Sequence, residues 1–386
     1  MTAVEELLAR HQPVLKYDSQ ECYFADSAAQ WTDNRGHTLV DGNGKVLAKA
    51  GDGLSLAFLG PTYADGRRAA RTHLVGCPTR DYAEQARRLH AMERYANRTY
   101  GHAVTDAAGD LWLQYWFFYF FNDYNLIGSV IKAGLHEGDW EMIQIRLRDE
   151  RPDHAVYAQH GKSSSRDWRQ VDVVPGAERP IVYVARGSHA AYFEPGAHWT
   201  GHWFDRADAK RKSRDQRLEI VVDDAPEWRW MRWPGAWGDT KRRGGNPLDA
   251  DSPNSPGCRP RWEDPLVMLE KEQRAPATAP ASRVSAPPAP RVRVDWADGR
   301  IRVRYRVLAA AGRSRPTAIV VTLNSPDESA PPTTESFPVE GASGEVELAT
   351  PVDPARRYDV YVSAATAEGV PSESVRVDLA PAVTAR

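Results

Sequence analysis

Cysteine is nearly absent from this 386-residue chain, which carries only Cys22, Cys77 and Cys258. An odd number of widely spaced thiols builds neither a disulfide framework nor a thiolate zinc site. Free or buried thiols in a reducing compartment are the expectation. Net charge is also scarce: 50 Lys and Arg against 52 Asp and Glu leave a formal charge of -2. That excludes bulk attraction to nucleic acid or to an anionic membrane, so no nucleic-acid partner is expected. Long apolar runs are missing too. The most apolar stretch, Leu111 to Phe121, is too short to span a bilayer and contains Gln114, so no transmembrane segment is expected. Met1 to Arg10 carries Glu5 and Glu6 and lacks the apolar core of a secretory signal. Cytoplasmic residence is the default expectation, with unconventional export left open. There is no Gly-rich phosphate loop, no internal repeat and no Gly-x-Ser-x-Gly elbow.

Aromatic residues, by contrast, are abundant, with 13 Trp and 15 Tyr, mostly before residue 263. Such rings suit pleated, half-buried surfaces, so a mainly β chain is expected. Val4 to Leu8 reads as a short helix, and Pro13 to Tyr17 as a first strand. Asp41-Gly42-Asn43-Gly44 is a turn. Tyr82, Ala86, Leu89 and Ala96 recur at helical spacing between Thr79 and Asn97, with Thr79 or Asp81 as cap. Leu111 to Phe121 reads as a central strand buried on both faces rather than an exposed stacking strip. Val156 to Gly161, Val171 to Val174, Ile181 to Ala185 and Leu218 to Val222 read as further strands. The expected fold is a metal-binding β-sandwich or jelly-roll-like domain over residues 1–272, with one or two surface helices.

The composition shifts at Arg274. Residues 273–291, rich in Pro and Ala, read as an extended linker. From 292 to 381 the alternation of Val292-Arg293-Val294 and Ile301-Arg302-Val303-Arg304-Tyr305 suggests a second, smaller sandwich. Its last third, Pro354 to Ala364 and then Gly369-Val370-Pro371-Ser372-Glu373-Ser374, resembles a fibronectin type III domain, with Tyr358 at the corner-tyrosine position. That module is a candidate for contact with a protein partner.

The chemistry gathers in Leu135-His136-Glu137-Gly138-Asp139-Trp140-Glu141 and the strand that follows it. The two-residue period puts Asp139 and Glu141 on the face of Ile143, Ile145 and Leu147, which should be the buried one. Two carboxylates there lose hydration and repel each other, so they need a partner. A cation would serve, with His136 as a further ligand and Asp123 or Asn122 bringing another oxygen. A pairing with arginine at the strand end is the plain alternative. Carboxylate dominance favours Mg²⁺, Ca²⁺ or Mn²⁺ over Zn²⁺.

Tyr115-Trp116-Phe117-Phe118-Tyr119, the His136 to Glu141 motif, Tyr157-Ala158-Gln159-His160-Gly161 and Val182 to Ala190 together resemble the vacuolar protein sorting-associated protein 62 family. The likeness runs from about Pro13 to Pro265. The motif also resembles, more distantly, that of the necrosis- and ethylene-inducing cytolysins, where His-x-His-Asp-Trp-Glu and an upstream Asp hold a divalent cation in a β-sandwich. That likeness implies His136, Asp139, Glu141 and Asp123 as metal ligands, and a lipid headgroup as the kind of ligand bound. Gly138 stands where the cytolysins have their second histidine.

His160 and His189 each follow a strand and are flanked by small residues. They are candidate ligand-binding residues, together with Trp140, and candidate catalytic groups for metal-assisted hydrolysis. Their plain reading is histidines hydrogen-bonded in a polar pocket. His198-Trp199-Thr200-Gly201-His202 reads as an aromatic loop, because Thr and Gly make a helical zinc pair improbable. The basic run from Arg206 to Arg217, with Lys241-Arg242-Arg243, reads as a solvated loop that would attract anionic headgroups if it neighboured the metal end. The first functional expectation is a divalent-cation-containing module that binds a polar headgroup or glycan, at a membrane or free of one. A metal-dependent hydrolase and a structural or protein-interaction role are the alternatives.

Overall fold

In the computed structural model the described residues are 2–78, 81–126, 131–132, 134–199, 204–207, 215–239, 250–270, 287–309, 313–324, 333–366, 372 and 375–382. Most of the Pro/Ala linker, the middle of the basic run, Lys241-Arg242-Arg243, Thr79, His202 and part of the Gly369 to Ser374 stretch lie outside them. The chain divides into two compact units. One comprises residues 1–124, 134–196 and 206–274, and the other 125–133, 197–205 and 275–386.

The first unit is built on a six-stranded sheet in the order Lys162–Asp167, Arg151–Gln159, His136–Arg148, Leu111–Asn122, Arg98–Thr105 and Arg217–Ile220. Every pairing is antiparallel except the last, which is parallel. Leu111–Asn122 is central and buried on both faces, because each face has its own cover. Its odd-numbered residues Leu113, Tyr115, Phe117 and Tyr119 join Ile143, Ile145 and Leu147 in a core with Leu15, Val182 and Ala191. Those partners belong to a three-stranded sheet, Val14–Tyr17, Ile181–Val184 and Ala191–Tyr192. On the even side, Trp112, Trp116, Phe118 and Phe120 join Trp31, Trp140, Trp230, Trp233, Trp237 and Trp262. A four-stranded sheet (Gly53–Leu54, Val46–Ala50, Thr38–Val40, Leu74–Gly76) contributes Leu39 and Val75 to this tryptophan-rich core. Each fully buried ring of this size removes enough apolar area from water to contribute about 2–3 kcal/mol.

Local chemistry accounts for the helices. Ala3–Arg10 starts on a capping box in which Thr2 accepts from the Glu5 N–H and Glu5 accepts from the Thr2 N–H. Tyr82–His90 turns Ala86 and Leu89 into the core. It is shorter than the Thr79 to Asn97 expectation, and Asp81 at its start makes no side-chain cap bond. Three further short α segments, Ala29–Asp33, Pro260–Glu263 and Val267–Glu270, bring the described helices above the one or two expected. Val171 to Val174 is not a strand: Trp168–Gln170 forms a 3-10 turn and only an isolated bridge joins Val173 to Pro180. The polar turn residues around it leave too little pairing for a ladder. No described helix is long and apolar enough to cross a membrane.

The second unit packs a three-stranded sheet, with Arg300–Arg306 between Arg291–Ala297 and Ser343–Glu347, against a four-stranded one. Ile301, Val303 and Tyr305 alternate inward to meet Ile319, Val321, Val360 and Val362. Arg302 and Arg304 alternate outward and are neutralised by Glu345, Glu347 and Asp295 on neighbouring strands. The Asp353 N–H donates to the Tyr358 hydroxyl at 3.0 Å, a tie of the corner-tyrosine kind.

Candidate functional site

Strand register places the motif carboxylates. His136–Arg148 pairs with Leu111–Asn122 so that Asp139 lies opposite Tyr119 and Glu141 opposite Phe117. Both carboxylates therefore start from the side that holds Ile143 and Ile145. The turn after Ile181–Val184, in the covering sheet, carries His189 with φ at 56°, and it delivers the ring onto the same spot. His189 Nδ1 donates to Asp139 Oδ2 at 2.9 Å. Its ring stacks on Tyr119 at 3.9 Å with 3° between the planes. Nε2 faces Glu21 Oε1 at 3.8 Å, an ion-pair distance rather than a hydrogen bond. His189 is 1% exposed.

The electrostatics follow from this arrangement. Burial by itself would lower the His189 value, but the Asp139 hydrogen bond and the Glu21 carboxylate outweigh it and push it up to about 9. An imidazolium thus sits between two carboxylates. For Asp139 and for Glu21, burial opposes ionisation, and His189 together with His136 and Arg259 at Asp139, and with the Gly187 and Tyr23 N–H groups at Glu21, outweighs it and holds both below the usual carboxylate range. The partner of Asp139 is a histidine; neither it nor Glu141 forms an ion pair with arginine among the described residues.

His136 occupies the other side of Asp139, with Nε2 at 3.9 Å from Oδ1. Its Nδ1 is 2.9 Å from the Gly138 carbonyl, so it carries the proton and donates. Nε2 is left as an acceptor for the Asn122 amide nitrogen at 2.8 Å. The Asn122 Oδ1 is buried and has no hydrogen-bond partner. Burial lowers the His136 value, partly opposed by Asp139.

Glu141 differs from all of these. It is partly buried and makes no hydrogen bond or ion pair among the described residues. Burial, and then the neighbouring Asp139 charge, push it up to about 8. His160, Arg261 and Arg259 act on it through space in the opposite direction. The Arg259 guanidinium is itself committed to the Trp140 carbonyl at 3.1 Å.

The remaining sequence candidates fall in different places. His160 is exposed at the end of its strand, in a left-handed conformation, with its ring 5.2 Å from that of Tyr124. Asp123 lies at the end of the aromatic strand, within electrostatic reach of Tyr23, and its carbonyl abuts Gly187. Trp140 is 2% exposed and packs against Phe118, Trp230 and Trp237 in the tryptophan core, on the side away from His189. Gly138, at φ 54°, admits no side chain, because a Cβ there would stand 2.1 Å from the Trp237 carbonyl oxygen. A histidine at this place could not be accommodated. Sequence reasoning missed Glu21, Tyr119 as a stacking partner, and Tyr23. The one available signal was an acidic residue, Glu21, embedded next to the apolar run Tyr23-Phe24-Ala25.

Among the described residues, no group of three or more His, Cys, Asp or Glu side chains is gathered as a metal centre. Asp139 Oδ1, Glu141 and the orphaned Asn122 Oδ1 are nevertheless oxygen donors of the kind that suits a hard divalent cation, and His136 Nε2 would join them only on releasing the Asn122 amide.

Comparison with known proteins decides the relationship. The family described as vacuolar protein sorting-associated protein 62 matches residues 1–231. The chain belongs to that family. The vacuolar protein sorting-associated protein 62 match contains Glu21, Asn122, His136, Asp139, Glu141, His160 and His189, and it ends before Trp237, Trp262 and residues 275–386. No curated protein matches. Among solved structures, the fn3 domain of human collagen alpha-1(XX) chain is similar at 18% identity over 26% of this chain and 94% of that one, with a TM-score of 0.20. The fibronectin type-III domain of human fibronectin type III domain containing protein 3 is similar at 16% identity over 26% and 91%, with a TM-score of 0.19.

Proposed function

We propose that this end of the first unit binds a divalent cation and, through it, a polar ligand such as a lipid headgroup or a glycan. The observation that carries the reading is Glu141. A carboxylate on a core-facing strand, beside a second carboxylate and with no hydrogen bond or ion pair among the described residues, is driven to take up a proton or meet a cation. His136, Asp139, Glu141 and Asn122 would hold the ion. Once bound, it would supply an electropositive centre for a phosphate or hydroxyl oxygen. The exposed His160, next to Glu141, would meet the ligand from the solvent side.

Elemental analysis and thermal melts with and without chelator test the cation. Bound Mg²⁺, Ca²⁺ or Mn²⁺ and a melting temperature that falls on chelation are expected; a metal-free chain with unchanged melting refutes it. A panel of liposomes and glycans then separates the ligand classes, with retention expected to vanish in Asp139→Ala.

The hydrolase alternative keeps one supporting observation, the exposed imidazole of His160. His189 is a poor general base, because it is buried and already protonated between carboxylates. Turnover of an ester or phosphoester, lost in His160→Ala with the cation retained, would move the assignment to the enzyme.

A further inference from the structure

The site has a component that neither the motif nor the family match singles out. Glu21, 3% exposed, sits in the segment that follows the first strand of the covering sheet. Its Oε1 accepts from the N–H groups of Cys22 at 2.8 Å and Tyr23 at 2.9 Å. Its Oε2 accepts from the Gly187 N–H at 2.7 Å. One carboxylate therefore ties two distant chain segments together, and its Oε1 confronts the far nitrogen of His189. Gln20 beside it accepts from the Arg186 guanidinium, a second tie between the same segments.

We propose that Glu21 is the positioning residue of this site, fixing the His189 ring so that Nδ1 donates to Asp139 and Asp139 Oδ1 stays turned towards His136.

The ring is constrained from three sides, by Asp139 at Nδ1, Glu21 at Nε2 and Tyr119 on its face. Two of these are fixed by the sheet, since Asp139 and Tyr119 are directly paired across strands. Glu21 reaches the ring from a loop and is the constraint that also carries the backbone of the histidine turn. Gly187, at φ 72°, closes the arrangement: a Cβ there would stand 2.2 Å from the Asp123 carbonyl oxygen, so the turn lies directly on the end of the aromatic strand. Orienting a ligating carboxylate through an outer hydrogen-bonded group is how a protein sets which oxygen remains available. Here the outer chain runs from Glu21 through His189 to Asp139. The bearing of this on ligand binding rests on the proposed cation site; the geometry itself does not.

The test is made on chelated, cation-free full-length protein labelled with ¹⁵N in its histidines. Wild type is expected to show a downfield, slowly exchanging imidazole proton correlated with His189 Nδ1. Glu21→Gln is the decisive variant: its single amide oxygen can still accept from the Cys22 and Tyr23 N–H groups, its NH₂ cannot accept from the Gly187 N–H, and the charge facing Nε2 is gone. In Glu21→Gln the exchange of that proton is expected to quicken roughly tenfold or more, the scale of one charge-assisted contact. In Glu21→Ala the signal should be lost. An unchanged exchange rate in folded Glu21→Gln, or a wild-type spectrum without the proton, overturns the inference. Calorimetry with Mn²⁺ on the wild type keeps the two readings apart: no binding refutes the cation site and leaves the Nδ1 proton to decide the role of Glu21.

Discussion

Glu137 and Glu141 lie four residues apart on one strand and have opposite surroundings. Glu137 is 5% exposed and fully answered: it accepts from the Asp239 N–H at 2.7 Å, the Tyr82 hydroxyl at 2.8 Å and the Cys77 N–H at 3.2 Å. Burial still pushes its carboxyl up, but these donors pull it back. Glu141 has no such donors among the described residues and is pushed up to about 8. Asp139 lies between them in sequence and in satisfaction, with one short bond to His189 and a long approach to His136. The gradient separates a carboxylate answered by three donors from one that has no hydrogen bond among the described residues.

The sharpest way to break this arrangement is at the glycine between them. Gly138→Ala forces a Cβ into the Trp237 carbonyl at a left-handed backbone position, so it should destabilise by about 3 kcal/mol or more. A drop in the urea midpoint without a change in slope is the expected measurement. Glu137→Ala is next. It strands three donors in a largely buried setting and should cost about 2–4 kcal/mol, read in the same unfolding experiment. A loss below about 1 kcal/mol would mean that water reaches those donors and that the contrast with Glu141 is overstated.

Glu141→Gln turns the comparison round. In chelated protein its stability should match wild type to within about 0.5–1 kcal/mol, because no internal partner is lost. In saturating Ca²⁺ or Mg²⁺ only the wild type should gain, by about 2.7 kcal/mol at a hundredfold excess over the dissociation constant. Equal cation responses in the two proteins would place the cation elsewhere or nowhere.

The sequence showed where the acidic motif lies but not how its members differ. Period-two alternation placed Asp139 and Glu141 with the aliphatic residues of their strand, because a single strand carries its own facing information. The doubly buried aromatic strand was legible for the same reason. What answers each carboxylate was not. Glu21, Tyr82, Cys77 and Asp239 come from other elements, and nothing local to the motif encodes their approach. Trp140 has polar neighbours in sequence, but its side chain alternates to the opposite face and into the tryptophan core. The second cover over that face, which makes the first unit more than a two-sheet sandwich, depends on the late tryptophans folding back, and composition alone does not specify that.

The smallest effect expected comes from a control pair outside the site. His102 Nε2 and Asp223 Oδ2 are 2.9 Å apart, the same separation as His189 and Asp139, but the Asp223 side chain is 41% exposed. The His102 hydrogen bond is the main cause that brings the Asp223 carboxyl down to about 2, against a smaller opposing effect of burial. A depressed carboxylate stabilises the fold once pH is above its unfolded value, and that contribution fades as pH falls through the folded one. The stability difference between wild type and Asp223→Asn should therefore be constant near neutrality and shrink as pH falls from the ordinary aspartate range to about 2. Solvent screening keeps it to at most about 1 kcal/mol. Urea midpoints measured across that acid range would show it. A difference that grew towards low pH would mean that the fold holds the Asp223 carboxyl above its ordinary range, and that equal His–carboxylate distances say little about equal coupling.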